Sequence, residues 1–159
     1  MSNHVAVISW KKKEGDDFLK GKYSREHSWR FDGGSSIPAS PSPSVVPAPY
    51  SNPANVDPEE AYVASISSCH MLTFLYLASK QGFTIDAYED EAVGTMAKNE
   101  RGVPWVNTVA LHPKIAYGAG KQPSQQEEEK LHHAAHEQCF IANSVKTAIN
   151  VESIGASGH

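Results

Sequence analysis

The chain holds 159 residues, 40% of them hydrophobic and 20% charged; this is one domain's worth of material with enough apolar content to bury a core, and it excludes a disordered or collagen-like chain. Fourteen Lys and Arg stand against eighteen Asp and Glu, a formal charge of −4, so no nucleic acid or membrane partner is expected from charge. Two cysteines are too few for a disulfide scaffold, and the opening MSNHVAVISWKKK lacks the basic-then-apolar order of a secretory signal; the expected setting is reducing and cytoplasmic.

In chain order, the first ten residues alternate weakly and suggest an edge strand, followed by a charged turn region over Lys11 to Asp17. In YSREHSWRF, the residues Tyr23, His27, Trp29 and Phe31 share a period of two with Arg25, which predicts a strand with one aromatic face, ending at Asp32-Gly33-Gly34. A short strand is expected around Ser36 to Ala39. Seven of the ten prolines then fall between Pro38 and Pro58. Proline blocks helix interiors and ladder hydrogen bonds alike, so residues 38–57 are read as an extended surface loop within one domain, of the kind that walls a site.

Asp57, Pro58 and Glu60 have the spacing of an N-cap, a first helical position and a capping-box partner, and Gly82 supplies a stop. The helix between them spans about 24 residues, or roughly 36 Å. From Ala61 to Ser79 it carries no formal charge. That length would suit a bilayer, but Ser65, Ser67, Ser68, His70, Thr73 and Ser79 lie inside it, so a core helix enclosed by protein and running through the middle of the structure is expected. Thr84 to Lys98 and Trp105 to Tyr117 predict a long hairpin across the turn NERGVP. Ser124 with Glu127 opens a second helix, and Ile149 to Ile154 predicts a last strand. Strands, helix, hairpin, helices, strand make a segregated α+β fold, with no internal repeat.

Cys69, at the midpoint of the long helix, is the residue with the most unusual surroundings. A helical cysteine is first of all a small buried hydrophobe, and one surrounded by hydrocarbon alone is inert because burial disfavours the thiolate. The run SISSCHM, however, sets hydroxyls and an imidazole beside this thiol. Reaction would require a cation, and mid-helix the macrodipole gives little help; Arg25 and Arg30 on the early strand are the candidate suppliers. Cys139 lies about seventy positions later and is compatible with a resolving thiol or with packing. His132, His136 and Cys139 share one helical face at spacing that could bind zinc, against the plainer reading of an amphipathic helix with exposed histidines. His70 and Cys69 are neighbours about 100° apart on the helix, so a Cys–His hydrolase pair is discounted. No phosphate loop or nucleophile elbow is present.

The run DPEEAYVASISSCHM, the apolar stretch behind it, CFIANSVKT and the early HSWRFDGG resemble the OsmC/Ohr superfamily of thiol-dependent hydroperoxide reductases, over roughly Tyr23 to Glu152. The resemblance implies an OsmC-like α+β fold: one domain over residues 1–159, antiparallel sheets, and a long central helix carrying the reactive cysteine in an intertwined homodimer. It makes Cys69 the peroxidatic cysteine and Cys139 the resolving one. Glu59 takes the place of the glutamate ten residues before the reactive cysteine. An arginine of the N-terminal strands would hold the thiolate, Arg30 as first choice and Arg25 as second. The implied substrate is an organic hydroperoxide, favoured by apolar Met71, Leu72, Phe74 and Phe140. The implied reductant is an external dithiol, lipoyl-linked or a small thiol, and no metal or organic cofactor is called for. The alternative is a non-catalytic module binding a small apolar ligand.

One expectation is geometric. Glu59 and Cys69 are about 15 Å apart along a straight helix and cannot share a site in one chain. Two helices crossing antiparallel near Ala64, over the small face of Ala61, Ala64, Ser65 and Ser68, would bring Glu59 of each subunit to Cys69 of the other.

Overall fold

Asp57 and Glu60 do what their spacing predicts. The Glu60 N–H donates to Asp57 Oδ1 at 2.8 Å and the Asp57 N–H to Glu60 Oε2 at 3.2 Å, so two of the four orphan donors at a helix start are satisfied reciprocally. Helix α1 (Pro58–Lys80) follows. It closes on Gly82, whose φ of 82° is open to a residue without Cβ, with the Phe83 N–H bonded to Ala78 O and the Gly82 N–H to Ser79 O, the paired bonds of a Schellman stop. The computed structural model describes residues 1–152. The chain forms two compact units, Met1–Ala61 and a second beginning at Tyr62, with the boundary inside α1.

The first unit is built on an antiparallel meander of β1 (Ala6–Ser9), β2 (His27–Phe31) and β3 (Ser36–Ala39) in the order β1-β2-β3. The aromatic strand starts later than its alternation predicts. Tyr23 lies ahead of it, its ring 4.7 Å from Phe18 and 5.6 Å from Trp10, and the Arg25 N–H bonds Tyr50 O rather than a neighbouring strand. Packing of three rings against one another outweighs two more ladder positions.

The proline-rich segment is tied down at several points rather than simply extended. Val56 bridges back to Ala39, and the fully buried Ser40 accepts from the Asn52 N–H at 2.8 Å. The Asn52 side chain donates to Glu26 at 2.8 Å, and Lys13 Nζ reaches the same carboxylate at 2.6 Å. Hydrogen bonds from Lys13 first and Asn52 second pull the Glu26 carboxyl down to about 2. This carboxylate is what joins the charged turn to the loop.

In the second unit the long hairpin forms and is interrupted midway. Strands β4 (Ile85–Asp90) and β7 (Pro113–Tyr117) pair antiparallel, as do β5 (Val93–Lys98) and β6 (Pro104–Leu111). Helix α2 (Gln125–Gln138) opens on the expected Ser124–Glu127 capping box. A short 3-10 turn at Ala142–Ser144 leads into β8 (Ala148–Val151). This last strand lies parallel to β6, because α2 carries the chain across before it returns, as a parallel crossover requires. It begins one residue early and ends at Val151; Ile154 of the predicted strand lies outside the described residues.

Helix α1 buries one stripe, Ile66, His70, Phe74 and Ala78, spaced by four. Ile66 packs with Val109 and Leu111, and Phe74 and Ala78 pack with Phe83, Leu131 and Ala135. The expectation that protein encloses the helix is therefore corrected for the single chain. Leu72 is 60% exposed and Tyr76 59%. By length and composition α1 could cross a membrane. The stripe it does bury is aimed at a helix and at strands, and it includes a histidine.

Candidate active site

Two thiols about seventy positions apart come together here. Cys69 sits half-buried on α1, and Cys139 is the C-cap of α2, 1% exposed. Both are free, and Cys69 lies close enough to Cys139 to act on its thiol. Helix α1 positions the first through its buried stripe; α2 positions the second by ending there, its backbone turning extended at φ −69°, ψ 121°. The Ala142 N–H points back at Cys139 Sγ at 3.4 Å, and Asn143 Nδ2 donates to Cys139 O at 2.9 Å. Burial first, and the hydrogen bond with Cys69 second, push the Cys139 thiol above its ordinary value, while the Ala142 N–H works the other way. A thiol held protonated is inert until it loses its proton, so Cys139 must be deprotonated before it can attack a second sulfur.

The imidazoles next to this pair belong to the packing between α1 and α2. His70 Nε2 lies 3.0 Å from His132 Nδ1, with the two rings nearly parallel at 5.3 Å between centroids. His132 in turn stacks on Phe74 at 4.3 Å and turns Nε2 towards Glu128 Oε1 at 3.9 Å. All of these are buried, His132 at 4% exposure included, which corrects the reading of exposed histidines for His132, while His133 is exposed and His136 half-buried. The zinc reading fails as well: among the described residues no group of three His, Cys, Asp or Glu converges on a metal position. The hydrogen-bond partner of the His70 ring is His132 of α2.

Burial first, with His132 and His136 adding to it, lowers His70 from an ordinary 6.5 to about 4. The unfolded imidazole takes up a proton near pH 6.5 and the folded one only near pH 4. Stability contributed by neutral His70 is therefore complete above pH 6.5 and is lost as pH falls through about 4. Urea unfolding between pH 7.5 and 4 should show this loss in the parent chain and a flatter profile in His70→Gln. Equal slopes for the two proteins would remove His70 as the cause.

The arginines and Glu59 are found in the first unit. Arg30 is exposed on β2, where it pairs across to Val7 and Ser36. Arg25 is half-buried: its guanidinium lies 3.7 Å over the Tyr23 ring and donates to Gly21 O and Tyr23 O at 2.9 and 2.7 Å. It lines an open hollow of about 460 Å³ with Trp10, Phe18, Tyr23, His27, Pro41 and Pro58. Sequence reasoning did not find this hollow. Its signal was there in Trp10 and Phe18, two aromatics in a segment otherwise read as an edge strand and a charged turn. Glu59 is half-buried in the first turn of α1. Two of the residues expected to favour an apolar substrate have other surroundings: Phe74 is wholly buried core and Phe140 is 84% exposed.

An α+β fold that brings a half-buried thiol on a long helix against a buried thiol at the end of a second helix defines a dithiol protein. The sequence matches the family model for OsmC-like proteins over residues 51–153, and the chain belongs to that family. It is similar over 97% of its length to the whole of an OsmC-like protein of unknown function from Vibrio cholerae, at 52% identity and a TM-score of 0.94. An organic hydroperoxide resistance protein of the OsmC type from Legionella pneumophila shares the fold at 18% identity, TM-score 0.66, with 96% of each chain covered. Another from Elizabethkingia anophelis does so at 18% identity and TM-score 0.70, covering 96% of this chain and 94% of its own. No curated protein matches the sequence.

Proposed function

We propose that the protein is a thiol-dependent hydroperoxide reductase acting on organic hydroperoxides. The observation that carries this reading is the proximity of Cys69 to Cys139 across about seventy residues of chain; the hydroperoxide resistance proteins that share the fold point the same way. The Cys69 thiolate attacks one peroxide oxygen, the O–O bond breaks, the alkoxide takes a proton to leave as alcohol, and Cys69 becomes a sulfenic acid. Cys139 attacks that sulfur, water leaves, and a disulfide remains. An external dithiol, lipoyl-linked or small, takes over the bond, returns both thiols and is itself oxidised to a disulfide. No metal or organic cofactor enters these steps, and we place the cycle in a reducing, cytoplasmic setting.

The cation we assign to the thiolate is Arg25. Its surroundings favour it over the first sequence choice, Arg30, because a half-buried guanidinium stacked on tyrosine is partly desolvated, which strengthens its hold on an anion. Glu59 is assigned the orientation of that arginine. One equivalent of cumene hydroperoxide should remove two hydrogens from the intact mass and leave a Cys69–Cys139 bridge on peptide mapping. Thiols that survive unchanged would favour the other reading, a non-catalytic module that takes a small apolar ligand into the hollow of Trp10, Phe18 and Tyr23.

A homodimer belongs to the same proposal. A 23-residue apolar helix that buries four residues and leaves Leu72 and Tyr76 about three-fifths exposed has a face suited to a second copy. An antiparallel crossing near Ala64 would bring Glu59 of the partner subunit to Cys69. The native mass at micromolar concentration should be twice 17.3 kDa, and Leu72→Glu should shift it towards the single chain. A monomeric parent protein would overturn the dimer.

A further inference from the structure

Every handle of Arg25 is held from within the first unit. Its backbone N–H donates to Tyr50 O at 2.9 Å, and its carbonyl lies 2.7 Å from His27 Nδ1. Nη1 donates twice, to Gly21 O at 2.9 Å and to Tyr23 O at 2.7 Å. The guanidinium carbon sits 3.7 Å over the centre of the Tyr23 ring and 5.6 Å from that of the Tyr50 ring. The holders are themselves fixed. Tyr23 is packed against Phe18 and Trp10 at 4.7 and 5.6 Å between rings, and the Trp10 Nε1–H donates to Ser24 O at 2.8 Å. Gly21 has a φ of 70°, open to a residue without Cβ. The turn that contains it is closed by the paired bonds of Asp17 and Lys22, each 2.9 Å, so the turn sets where the Gly21 carbonyl points.

This arrangement does two things to the arginine. It fixes the plane of the guanidinium, and it uses up the hydrogens of Nη1. The donors that remain are those on Nε and Nη2, the fork edge suited to an anion, and among the described residues no acceptor meets them. An arginine free in solvent loses rotamer freedom when it takes hold of an anion; one already fixed by folding does not, and donors set in place beforehand need no reorganisation as charge arrives. We propose that Tyr23 and Tyr50 are positioning residues for the reaction: their rings, with the carbonyls of Gly21 and Tyr23, hold the Arg25 guanidinium in one plane with its Nε–Nη2 edge ready for the Cys69 thiolate. The inference rests on the assignment of Arg25 to that thiolate. The plainer role for the same contacts is a structural clip, in which Arg25 merely pins the segment ending at Tyr50 to the turn at Gly21. The two roles differ in what the loss of a ring does to the sulfur.

The reduced full chain is alkylated with iodoacetamide across the pH range in which a thiol titrates, and the adduct on Cys69 is followed by peptide mapping. No peroxide is involved, so the readout is independent of turnover. Tyr23→Leu and Tyr50→Leu should each move the profile to higher pH, with alkylation on its rising limb about tenfold slower than in the parent for a displacement of one unit. Tyr23→Phe and Tyr50→Phe, which keep the rings, should bring the profile back. Arg25→Gln should move it at least as far as either leucine variant, and adding Tyr23→Leu to Arg25→Gln should move it no further, because the tyrosine acts through the arginine. Leucine variants that follow the parent, phenylalanine variants that shift as far as the leucine ones, or a further shift in the double variant would overturn the positioning role and leave the assignment of Arg25 in place. An Arg25→Gln profile equal to the parent's would overturn that assignment and this inference together. Should Tyr23→Leu fail to fold, Tyr50→Leu carries the test, since its ring is not one of the three packed together.

Discussion

Cys69→Ser is expected to reduce hydroperoxide consumption to the rate of buffer alone, a loss of at least about 1000-fold, because the reacting species is a thiolate and a serine hydroxyl at neutral pH supplies no comparable anion. The substitution is nearly isosteric at a half-buried position, so the fold should survive and circular dichroism should be unchanged. Cys139→Ser separates the steps. The first turnover should proceed at the parent rate, since Cys139 takes no part in breaking the O–O bond. The sulfenic acid left on Cys69 then has no neighbour to condense with, and excess peroxide should carry it to the sulfinic acid, seen as two added oxygens by mass spectrometry. Consumption of peroxide by Cys69→Ser at the parent rate would move the chemistry elsewhere. A Cys139→Ser protein that turns over repeatedly without overoxidation would show that the second thiol is packing alone.

The largest stability effect is expected at Phe74. Its side chain is wholly buried and packs with Ala78, Phe83, Leu131 and Ala135. Its ring also stacks on His132 at 4.3 Å and lies 5.8 Å from Tyr88. Truncation to alanine removes a large buried apolar surface and leaves a cavity between α1, α2 and the β4–β7 pair; such changes cost about 3–5 kcal/mol. That is a large share of the roughly 5–15 kcal/mol by which whole domains are stable. The loss should appear as a lowered denaturant midpoint at little-changed slope. It should also loosen the seat of His132, and through the 3.0 Å contact that of His70, so Cys69 reactivity should change as well. A shift in midpoint no larger than that of a surface substitution would mean that the α1–α2 contact is not the core of the second unit. Phe74→Leu, which retains most of the volume, should cost less.

How far the fold and site were legible in the sequence follows the range of the forces involved. The start of α1 at Asp57, Pro58 and Glu60, its stop at Gly82 and the capping box at Ser124 rest on bonds between residues a few positions apart, and each formed as its spacing predicted. The hairpin from Thr84 to Tyr117 was legible for the same reason. Tyr23 was misplaced on a strand because alternation is a local signal, while the rings that claim it, Trp10 and Phe18, come from an earlier segment. His132 was read as exposed because α2 looked amphipathic when considered alone; the partners that bury it, His70 and Phe74, stand on the other helix. The parallel pairing of β8 with β6 depends on where α2 delivers the chain, which no strand pattern records.

By itself the sequence determined the long helix, its caps and its length, the α+β order of elements, and the presence of two thiol-bearing segments characteristic of OsmC-like proteins. All of these are encoded in residues near one another or in a motif that survives as letters. Only the tertiary structure decided that Cys69 and Cys139 lie close together, that the second is buried while the first is half-buried, and that Arg25 rather than Arg30 lines an aromatic hollow. Each of these depends on the distances between segments far apart in the chain, and those distances are set by the packing of apolar faces that have no fixed partners until the whole chain has folded.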